Sequence, residues 1–516
     1  DSVCAAGPWC EGTSYNANTP KHILRAWNIL SKHSDYTVNQ ARINLMFDGY
    51  VHQYISMDND EIWNHGDLEG SPTDLNYQHE ERFISYLDVM GGMLTGERQT
   101  TCYHLRDLLV QDNVADDELS YYEYRGLFRD SRVPSIKPTN LPLVWSIDDG
   151  QRISMFRNNW TANSTVTFIQ NYGYEVHHNQ TLPLNLDIVH DGVPITMCLH
   201  GYVQEPPRNG LWIENHASVD HQKLRFNAHT RSIQNADGSR KRCKNYTAEG
   251  DSTFSIYCGD AKDAWNLTGY NLLEFLSQQT KTIYIDYEDQ FFLVFEVAEC
   301  VPDAISDIDT LTAPAQRNMF RMTRFEAEPT LSNGVWTADA NGKRHTMQNL
   351  LPVTSNEMVS EHEDANHPDY QFAFAPQQPV YEDTGLTKDH PGHPQSQRKW
   401  QVRNAIAPAT RGRFLAVHTF GDVATTLPAT GAVIETDKFI GAVINSTKCV
   451  IFIKNPNAFS ADDLVFTIPT TVTHLTVQGL VGTFDVAAAP SGEVTITQGS
   501  QHLASSGGVI RTGVTF

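Results

Sequence analysis

The sequence predicts an α+β fold in which helices come first and antiparallel strands follow. Two observations carry this prediction: apolar residues recur every three to four positions in the first quarter of the chain, and they alternate with polar residues in most of the remainder. The change of period follows a proline-rich stretch at 131–143, where neither a helix nor a strand interior is expected. Helices and strands that are segregated along the chain are typical of the α+β class.

Four segments in the first quarter have the period of an amphipathic helix. In each of them, apolar side chains three and four positions apart would lie on one face and pack against a neighbouring helix. The predicted helices span 21–33, 38–55, 81–94 and 102–111. We expect them to form a small set of helical hairpins.

The region after 143 has the two-residue period of strands. Examples are RISMFRN, STVTFIQN, LNLDIVHDGVPI, KTIYIDY and FFLVFEVAE. The polar, His- and Pro-rich segment at 361–399 is interpreted as a long surface excursion. Short strands near the C-terminal end, such as LVFTIP and HLTVQGL, indicate a small further β-domain. We therefore expect a helical domain at 1–141, a large antiparallel β-domain at 142–456 and a small β-domain at 457–516.

The composition is typical of a globular protein, and it argues against a membrane span and against nucleic acid as a partner. The chain has 516 residues, of which 40% are hydrophobic, and no apolar run approaches the roughly 18 residues that a membrane span requires. A net charge of −23 argues against nucleic acid, because phosphate binding relies on clustered Lys and Arg. The chain starts at Asp1 and not at a methionine, so we expect that a segment precedes it. Association with such a segment, or a homo-oligomer, is a further expectation.

Cysteines and sequons indicate a secreted glycoprotein. The eight cysteines lack CxxC spacing, which favours disulfides over a zinc ribbon. The expected local disulfides are Cys4 with Cys10 and Cys243 with Cys258. Six Asn-x-Ser/Thr triplets are present, and one of them, at Asn179, stands beside a histidine pair. The other five, which are the expected glycosylation sites, are Asn159, Asn163, Asn245, Asn266 and Asn445.

Five segments, taken in order, resemble the heparinase II/III-like polysaccharide lyases, a family that includes alginate and heparin lyases and dermatan sulfate epimerases. They are PWCEGTSYNANTPKHILRAW (8–27), GQRISMFRNNWTANSTVTFIQN (150–171), VHHNQTLPLNLDIVHDGVPI (176–195), ENHASVDHQ (214–222) and GRFLAVHTF (412–420). Their order along the chain carries the resemblance. It implies the C-terminal part of an α/α toroid, followed by a large antiparallel β-sandwich and a small β-domain.

The resemblance also implies β-elimination beside a uronic acid of an acidic polysaccharide. In that reaction a hydrogen-bond donor neutralises the uronate carboxylate, a base removes the C5 proton, and an acid protonates the leaving oxygen. By matching position, Tyr15 would be the acid or base, and His178 would be the neutraliser or base. Trp9, Glu11 and Tyr202 would contact the substrate.

The metal site that the resemblance would bring is degenerate. The second motif histidine falls on Gln180, the motif aspartate on Leu182, and a later acidic ligand near Met197. Only His216 remains of the usual zinc ligands. Because glutamine and methionine are not the ligands that zinc prefers, we expect no metal and no other cofactor.

Each candidate also has a structural interpretation. Tyr15 would then pack against or cap a helix, His178 would be a satisfied surface residue at a strand entry, Trp9 would pack in the core, and His216 would be structural. A glycan on Asn179 would crowd His178 and exclude catalysis there. Two functions stay open: a secreted lyase, or less readily a uronate epimerase, and alternatively a catalytically degenerate glycan-binding or structural extracellular protein.

Overall fold

The computed structural model describes most of the helical and strand regions of the chain. The described residues are 13–35, 37–59, 61–63, 80–113, 130, 132–146, 152–171, 183–197, 209–213, 243–262, 276–300, 317–352, 356–361, 400–426, 428–456, 464–468, 472, 474–478, 483–487, 492–496, 503–505 and 509–512. Helices in these ranges are α1 (Thr13–His33), α2 (Gln40–Val51), α3 (Glu80–Gly91) and α4 (Glu97–Asn113). They correspond to the four predicted segments. Within the described ranges, no helix combines the length and the apolar content that crossing a membrane would require.

All described strands lie after the helices. They are β1 (Val144–Ser146), β2 (Arg152–Arg157), β3 (Thr165–Asn171), β4 (Pro183–His190), β5 (Val193–Thr196), β6 (Gly210–Ile213), β7 (Lys244–Gly250), β8 (Phe254–Asp260), β9 (Leu276–Asp286), β10 (Phe291–Cys300), β11 (Arg317–Phe325), β12 (Thr330–Ser332), β13 (Val335–Ala340), β14 (Lys343–Leu351), β15 (Asn356–Glu361), β16 (Trp400–Ala409), β17 (Arg411–Asp422), β18 (Thr430–Glu435), β19 (Phe439–Ile444), β20 (Lys448–Ile453), β21 (Leu464–Ile468), β22 (His474–Val477), β23 (Thr483–Ala487), β24 (Gly492–Ile496), β25 (Leu503–Ser505) and β26 (Val509–Thr512). The α+β class is thus confirmed.

The strands form five sheets. Their orders are β1-β2-β3-β4-β5, β12-β13-β14-β17-β10-β9-β8-β7, β15-β16-β11-β6, β18-β19-β20-β22-β23-β26 and β21-β24-β25. The described pairs are antiparallel, except that β20 and β22 run parallel, which corrects the expectation of purely antiparallel sheets. The predicted division at 456 falls between strands of the six-stranded sheet, because β20 precedes it and β22 follows it. The division into domains itself stays a prediction.

The eight-stranded sheet is the centre of the molecule because both of its faces are covered. Along β10, Phe292 and Val294 pack against the five-stranded sheet. The alternate residues Leu293 and Phe295 pack against the six-stranded sheet. A strand buried on both sides needs apolar residues at nearly every position, which explains the run FFLVFEVA. The five- and four-stranded sheets lie on the same side of it and are here called the outer layer.

Tight turns set the register of several hairpins. Asp191–Gly192, Asn333–Gly334 and Asn341–Gly342 each place two consecutive residues at positive φ, between 50° and 78°. Asn, Asp and Gly tolerate this left-handed conformation, and two-residue turns of this kind match the twist of antiparallel strands. The DGVP turn therefore joins β4 to β5.

The helices have their own apolar core and are joined to the outer layer by a buried arginine. Arg157 of β2 is 1% exposed and donates hydrogen bonds of 2.7–3.1 Å to the carbonyl oxygens of His52, Tyr54 and Ile55, which follow α2. Its guanidinium carbon lies 3.4 Å from the ring centroid of Trp160. Burial lowers the Arg157 pKa to about 9. The arginine thus satisfies buried carbonyl groups of the chain that leaves α2.

The expected disulfide between Cys243 and Cys258 is absent. Cys258 is a free, fully buried thiol in β8, opposite Thr247 of β7, and it accepts a hydrogen bond from Thr282 Oγ1 at 3.3 Å. Cys243 precedes β7, and the first residue of β7 pairs with Asp260. The strand register therefore does not place Cys243 opposite Cys258. Burial raises the pKa of the Cys258 thiol to about 12. The expected pair Cys4–Cys10 lies outside the described residues.

Candidate functional site

The structure leaves the predicted catalytic arrangement untested. Tyr15 lies in the first turn of α1, and its side chain is outside the described part of the chain. Five other predicted residues are wholly outside it: Trp9, Glu11, His178, Tyr202 and His216. The proximity of Tyr15 and His178 therefore stays a prediction. His178 lies in the sequence between Asn171 of β3 and Pro183 of β4, two residues that face each other in the β3–β4 ladder.

On β3 and β4, the side of the outer layer that points away from the central sheet is polar. Gln170 of β3 is the register partner of Asn185 of β4, and Asp187 lies two residues further along the same face. All three side chains are 0% exposed. Because the inner neighbours Leu184 and Leu186 belong to the core shared with the eight-stranded sheet, the polar side chains must point to the opposite side. That side is the one that meets the helical part.

Trp63 attaches the chain that follows α2 to this polar face. Its indole ring stacks on Phe168, with centroids 4.3 Å apart and an interplanar angle of 3°. Its Nε1–H donates to Asp187 Oδ2 at 3.1 Å, and Asn185 Nδ2 donates to Asp187 Oδ1 at 3.0 Å. The buried carboxylate of Asp187 is thus held from both sides. Trp63 and Asp187 fix one end of the helical part against the outer layer.

The four-stranded sheet continues the polar face with basic and amide side chains. Arg324 of β11 is the register partner of Gln401 of β16, and Arg403 lies two residues from Gln401 on the same face. The intervening residues Phe325 and Val402 pack inward against the central sheet. Arg403 Nε donates to Gln401 Oε1 at 3.1 Å. We define the polar face as Gln170, Asn185, Asp187, Arg324, Gln401 and Arg403.

Two amides of the polar face have unused hydrogen-bonding capacity. Within the described structure, neither Nε2 nor Oε1 of Gln170 has a hydrogen-bond partner, and the same holds for Nε2 of Gln401. Both side chains are at most 1% exposed. A buried donor without an acceptor costs about 1–3 kcal/mol, so native proteins rarely keep one without a functional or structural reason. An anionic or hydroxyl-rich ligand would supply the missing acceptors.

A second buried polar group lies between the outer layer and the central sheet. Glu296 of β10 is 1% exposed and accepts from Arg321 Nε at 2.9 Å, while Lys281 Nζ lies 3.2 Å from its other oxygen. Arg321 Nη2 lies 2.7 Å from His418 Nε2, and His418 Nδ1 lies 3.1 Å from His345 Nε2. We call these five residues the ionic network. It is linked to the polar face through Asn209, which binds Lys281, Asn185 and the Arg324 backbone.

Burial and positive neighbours control the charges of the ionic network. Burial, reinforced by Arg321, lowers the His345 pKa to about 3 and holds the His418 pKa well below its ordinary value. Burial also lowers the pKa values of Lys281 and Arg321, although Glu296 opposes this in both cases. The histidines are therefore neutral at physiological pH. The network holds two cations against one carboxylate and two neutral rings.

The expected metal position cannot be assessed as a whole. Gln180, Leu182 and His216 lie outside the described residues. Met197 is 0% exposed and packs in an apolar cluster with Trp63 and Phe168, and its backbone N–H donates to Glu326 Oε1 at 3.0 Å. Among the residues that are described, no group of three or more His, Cys, Asp or Glu side chains is placed to hold a metal. The absence of a bound metal stays a prediction.

The expected glycosylation sites differ in their surroundings. Asn163 and Asn445 are exposed, and Asn159 is half-buried. Asn245 is also half-buried, and its Nδ2, the atom to which a sugar would be attached, donates to Ser146 Oγ and Ser154 Oγ at 3.4 Å, so an attached sugar would disturb these contacts. Asn266 lies outside the described residues. Glycosylation at all five sites stays a prediction.

Sequence reasoning did not identify the polar face or the ionic network. A signal was present for some of their members. Glu296 interrupts the apolar run FFLVFEVA, and the alternate polar positions Asn185 and Asp187 stand in the strand LNLDIV. Gln170 and Gln401 carry no comparable signal, because a polar residue at a strand position is ordinarily solvated.

The fold is thus an α+β assembly in which the chain that follows α2 contacts the polar face of the outer layer through Trp63. No family model matches the sequence, and no curated protein matches it. The chain is similar in structure to the heparan sulfate lyase HepC from Pedobacter heparinus, with 11% sequence identity, a TM-score of 0.40 and coverage of 84% of this chain and 64% of that one. It is also similar to heparinase III, with 10% identity, a TM-score of 0.42 and coverage of 79% and 52%.

The chain spans less than two thirds of the length of these lyases. At such identities and TM-scores the likeness is distant. The activity, substrate and partners of this chain are therefore matters of proposal.

Proposed function

We propose that this chain is a polysaccharide lyase-like protein that acts on a uronate-containing polysaccharide by β-elimination at the polar face. One observation carries the proposal: on the face of the outer layer that points away from the central sheet, Gln170 and Gln401 keep buried amide donors that have no acceptor among the described residues. A uronate carboxylate is an acceptor of the right kind. The ordered sequence resemblance supports the same reaction.

In β-elimination, hydrogen-bond donors must neutralise the uronate carboxylate before a base can remove the C5 proton. The amide Nε2 of Gln170 would hydrogen-bond the uronate carboxylate and reduce its negative charge, which makes the neighbouring C5 proton more acidic. Arg324 and Arg403 add positive charge along the same face and favour an anionic chain. Tyr15 and His178, whose roles come from the resemblance, would then remove the C5 proton and protonate the leaving O4.

The alternative is a glycan-binding or structural protein on the same scaffold. The closure of the polar face favours the structural form of this alternative, because Gln170, Asn185 and Asp187 are 0% exposed and a polysaccharide must displace whatever covers them. In the glycan-binding form, the amides bind sugar without turnover once the face is uncovered. Secretion and N-glycosylation belong to both proposals, and the mass of the protein before and after glycosidase treatment tests the glycans.

One assay separates the two functions. The purified chain is incubated with a panel of uronate-containing polysaccharides, and the unsaturated product of β-elimination is followed by its ultraviolet absorbance. A lyase gives such a product, and Gln170→Leu reduces its rate at least about tenfold through loss of roughly 1.4 kcal/mol of transition-state stabilisation. Gln40→Leu, which changes an exposed glutamine of the helical part, is the matched control and keeps the rate.

The outcomes differ clearly. Binding of a polysaccharide without an unsaturated or epimerised product establishes the alternative. Absence of both product and binding across the panel refutes the proposed function.

A further inference from the structure

The contact between Arg321 and His418 fixes the hydrogen positions on two imidazole rings. A guanidinium group can only donate, so His418 Nε2, at 2.7 Å from Arg321 Nη2, must accept. Because the ring is neutral, its single hydrogen lies on Nδ1 and points to His345 Nε2 at 3.1 Å. His345 Nε2 must then accept as well. The hydrogen of the neutral His345 ring therefore lies on Nδ1.

The Nδ1–H of His345 is a donor without a partner. No acceptor lies within hydrogen-bond distance of it among the residues that the structure describes, and the side chain is 4% exposed. The two nitrogens of an imidazole point away from each other, and Nε2 faces His418 on β17. Nδ1 therefore turns towards β13, on the other side of β14. Ala338 is the register partner of His345 on that strand.

A small pocket lies at this position. Its cavity volume is about 10 Å³, and it is lined by His345 together with Ala338 and Ala340 of β13 and Pro194 and Ile195 of β5. The two alanines leave the space, since any larger side chain on the same face of β13 would fill it. The buried Nδ1–H of His345 thus lies beside apolar side chains that line the pocket.

The charged groups around the pocket do not favour an anion. Lys343 Nζ is paired with Asp191 at 2.6 Å and with Asp422 at 2.8 Å. Arg344 forms a two-point ion pair with a neighbouring aspartate of β13. The carboxylate of Glu326 also lines the pocket, and it accepts one backbone hydrogen bond there. The pocket therefore offers one donor, one anionic acceptor and apolar walls.

We propose that this pocket is a subsite for an uncharged hydroxyl-bearing arm of a ligand, such as the hydroxymethyl group of a neutral sugar. His345 Nδ1–H donates to the hydroxyl oxygen, the hydroxyl hydrogen turns to Glu326, and the methylene packs on Ala338 and Ala340. The cavity has room for a group about the size of one water molecule, so the pocket takes the end of an arm and not a whole ring. The inference does not rest on the proposed lyase function, because its ligand group is neutral.

Nuclear magnetic resonance on the full chain tests the subsite. Long-range ¹H–¹⁵N spectra report which ring nitrogen carries the hydrogen, and His345→Gln assigns the signals. Glucose carries the hydroxymethyl arm, xylose has the same ring without it, and glucuronate has a carboxylate in its place. We expect His345 to carry its hydrogen on Nδ1, and glucose to shift its signals with an affinity at least about tenfold above that of xylose or glucuronate, a difference of roughly 1.4 kcal/mol.

Matched variants locate the binding. Ala338→Leu fills the pocket and abolishes the glucose response, and Ala340→Val, a smaller change at a half-buried position, weakens it. Thr337→Leu adds similar bulk to the opposite face of β13 and leaves the response intact. The inference is overturned by a hydrogen on Nε2 of His345, by signals that glucose does not shift, or by equal responses in the Ala338 and Thr337 variants.

Discussion

Replacing the carboxylate of the ionic network should destabilise the protein strongly. Glu296 is 1% exposed and contacts Lys281 at 3.2 Å and Arg321 at 2.9 Å. Glu296→Gln keeps the size of the side chain but leaves two buried cations without an anion. Removal of one partner from a buried ion pair typically costs about 3–5 kcal/mol, because the remaining charge is desolvated and uncompensated. We expect a loss in this range.

Urea unfolding of both proteins, followed by tryptophan fluorescence, measures this loss. The matched control is Asp339→Asn, which breaks an ion pair with Arg344 whose aspartate is 41% exposed. Surface ion pairs contribute about 0–1 kcal/mol, so the control should stay within that range. The triple variant Lys281→Met, Glu296→Leu, Arg321→Met removes all three charges and should recover much of the loss.

Two results would refute this reasoning. A cost below about 1 kcal/mol for Glu296→Gln would mean that water or another anion compensates the two cations. A triple variant as unstable as the single variant would mean that the destabilisation comes from packing and not from charge.

Three further predictions concern other buried polar groups. Folding lowers the pKa values of His345 and His52 from 6.5 to about 3, so the unfolded chain binds more protons than the folded chain between pH 6.5 and about 3. The stability that each neutral histidine contributes is complete above pH 6.5 and falls by about 1.4 kcal/mol per pH unit below it. Urea midpoints measured across this pH range test the prediction. Trp63→Phe keeps the ring stack but removes the donor to buried Asp187, and calorimetry should show a loss of about 1–3 kcal/mol; an unchanged melting temperature would contradict this. Arg157→Met removes a donor from three carbonyl oxygens, of which Ile55 O keeps its hydrogen bond from Ser164 Oγ, and limited proteolysis should cut the helical part faster than in the parent chain.

The sequence predicted the class of fold because its signals are local. The helical period before the prolines and the strand period after them are visible in windows of about ten residues. Strand pairing is not local: β10 pairs with β17 across more than a hundred intervening positions, and no local pattern specifies that partner. The strand register also explains why the expected disulfide between Cys243 and Cys258 is absent, since it places Thr247 and not Cys243 opposite Cys258.

The candidate site was less predictable than the fold. Gln170 and Gln401 belong to different sheets, and only the packing of the outer layer against the central sheet puts them on one face. The role of Glu296 was visible in part, because a single carboxylate in an apolar strand must find a cation when it is buried. The identity of that cation depends on neighbouring strands, and the sequence does not specify them.

The position of the eight-stranded sheet also limits the order in which the chain can fold during synthesis. β10 lies between β9 and β17 in the ladder, and β17 is translated long after β10. Until the ribosome has released residues up to 422, the edge of β10 that pairs with β17 is unpaired, and the face of β10 towards the six-stranded sheet is covered only when the strands after 430 follow. A nascent chain stalled before this point should therefore bind chaperones and aggregate, whereas one that includes β17 can close its central sheet.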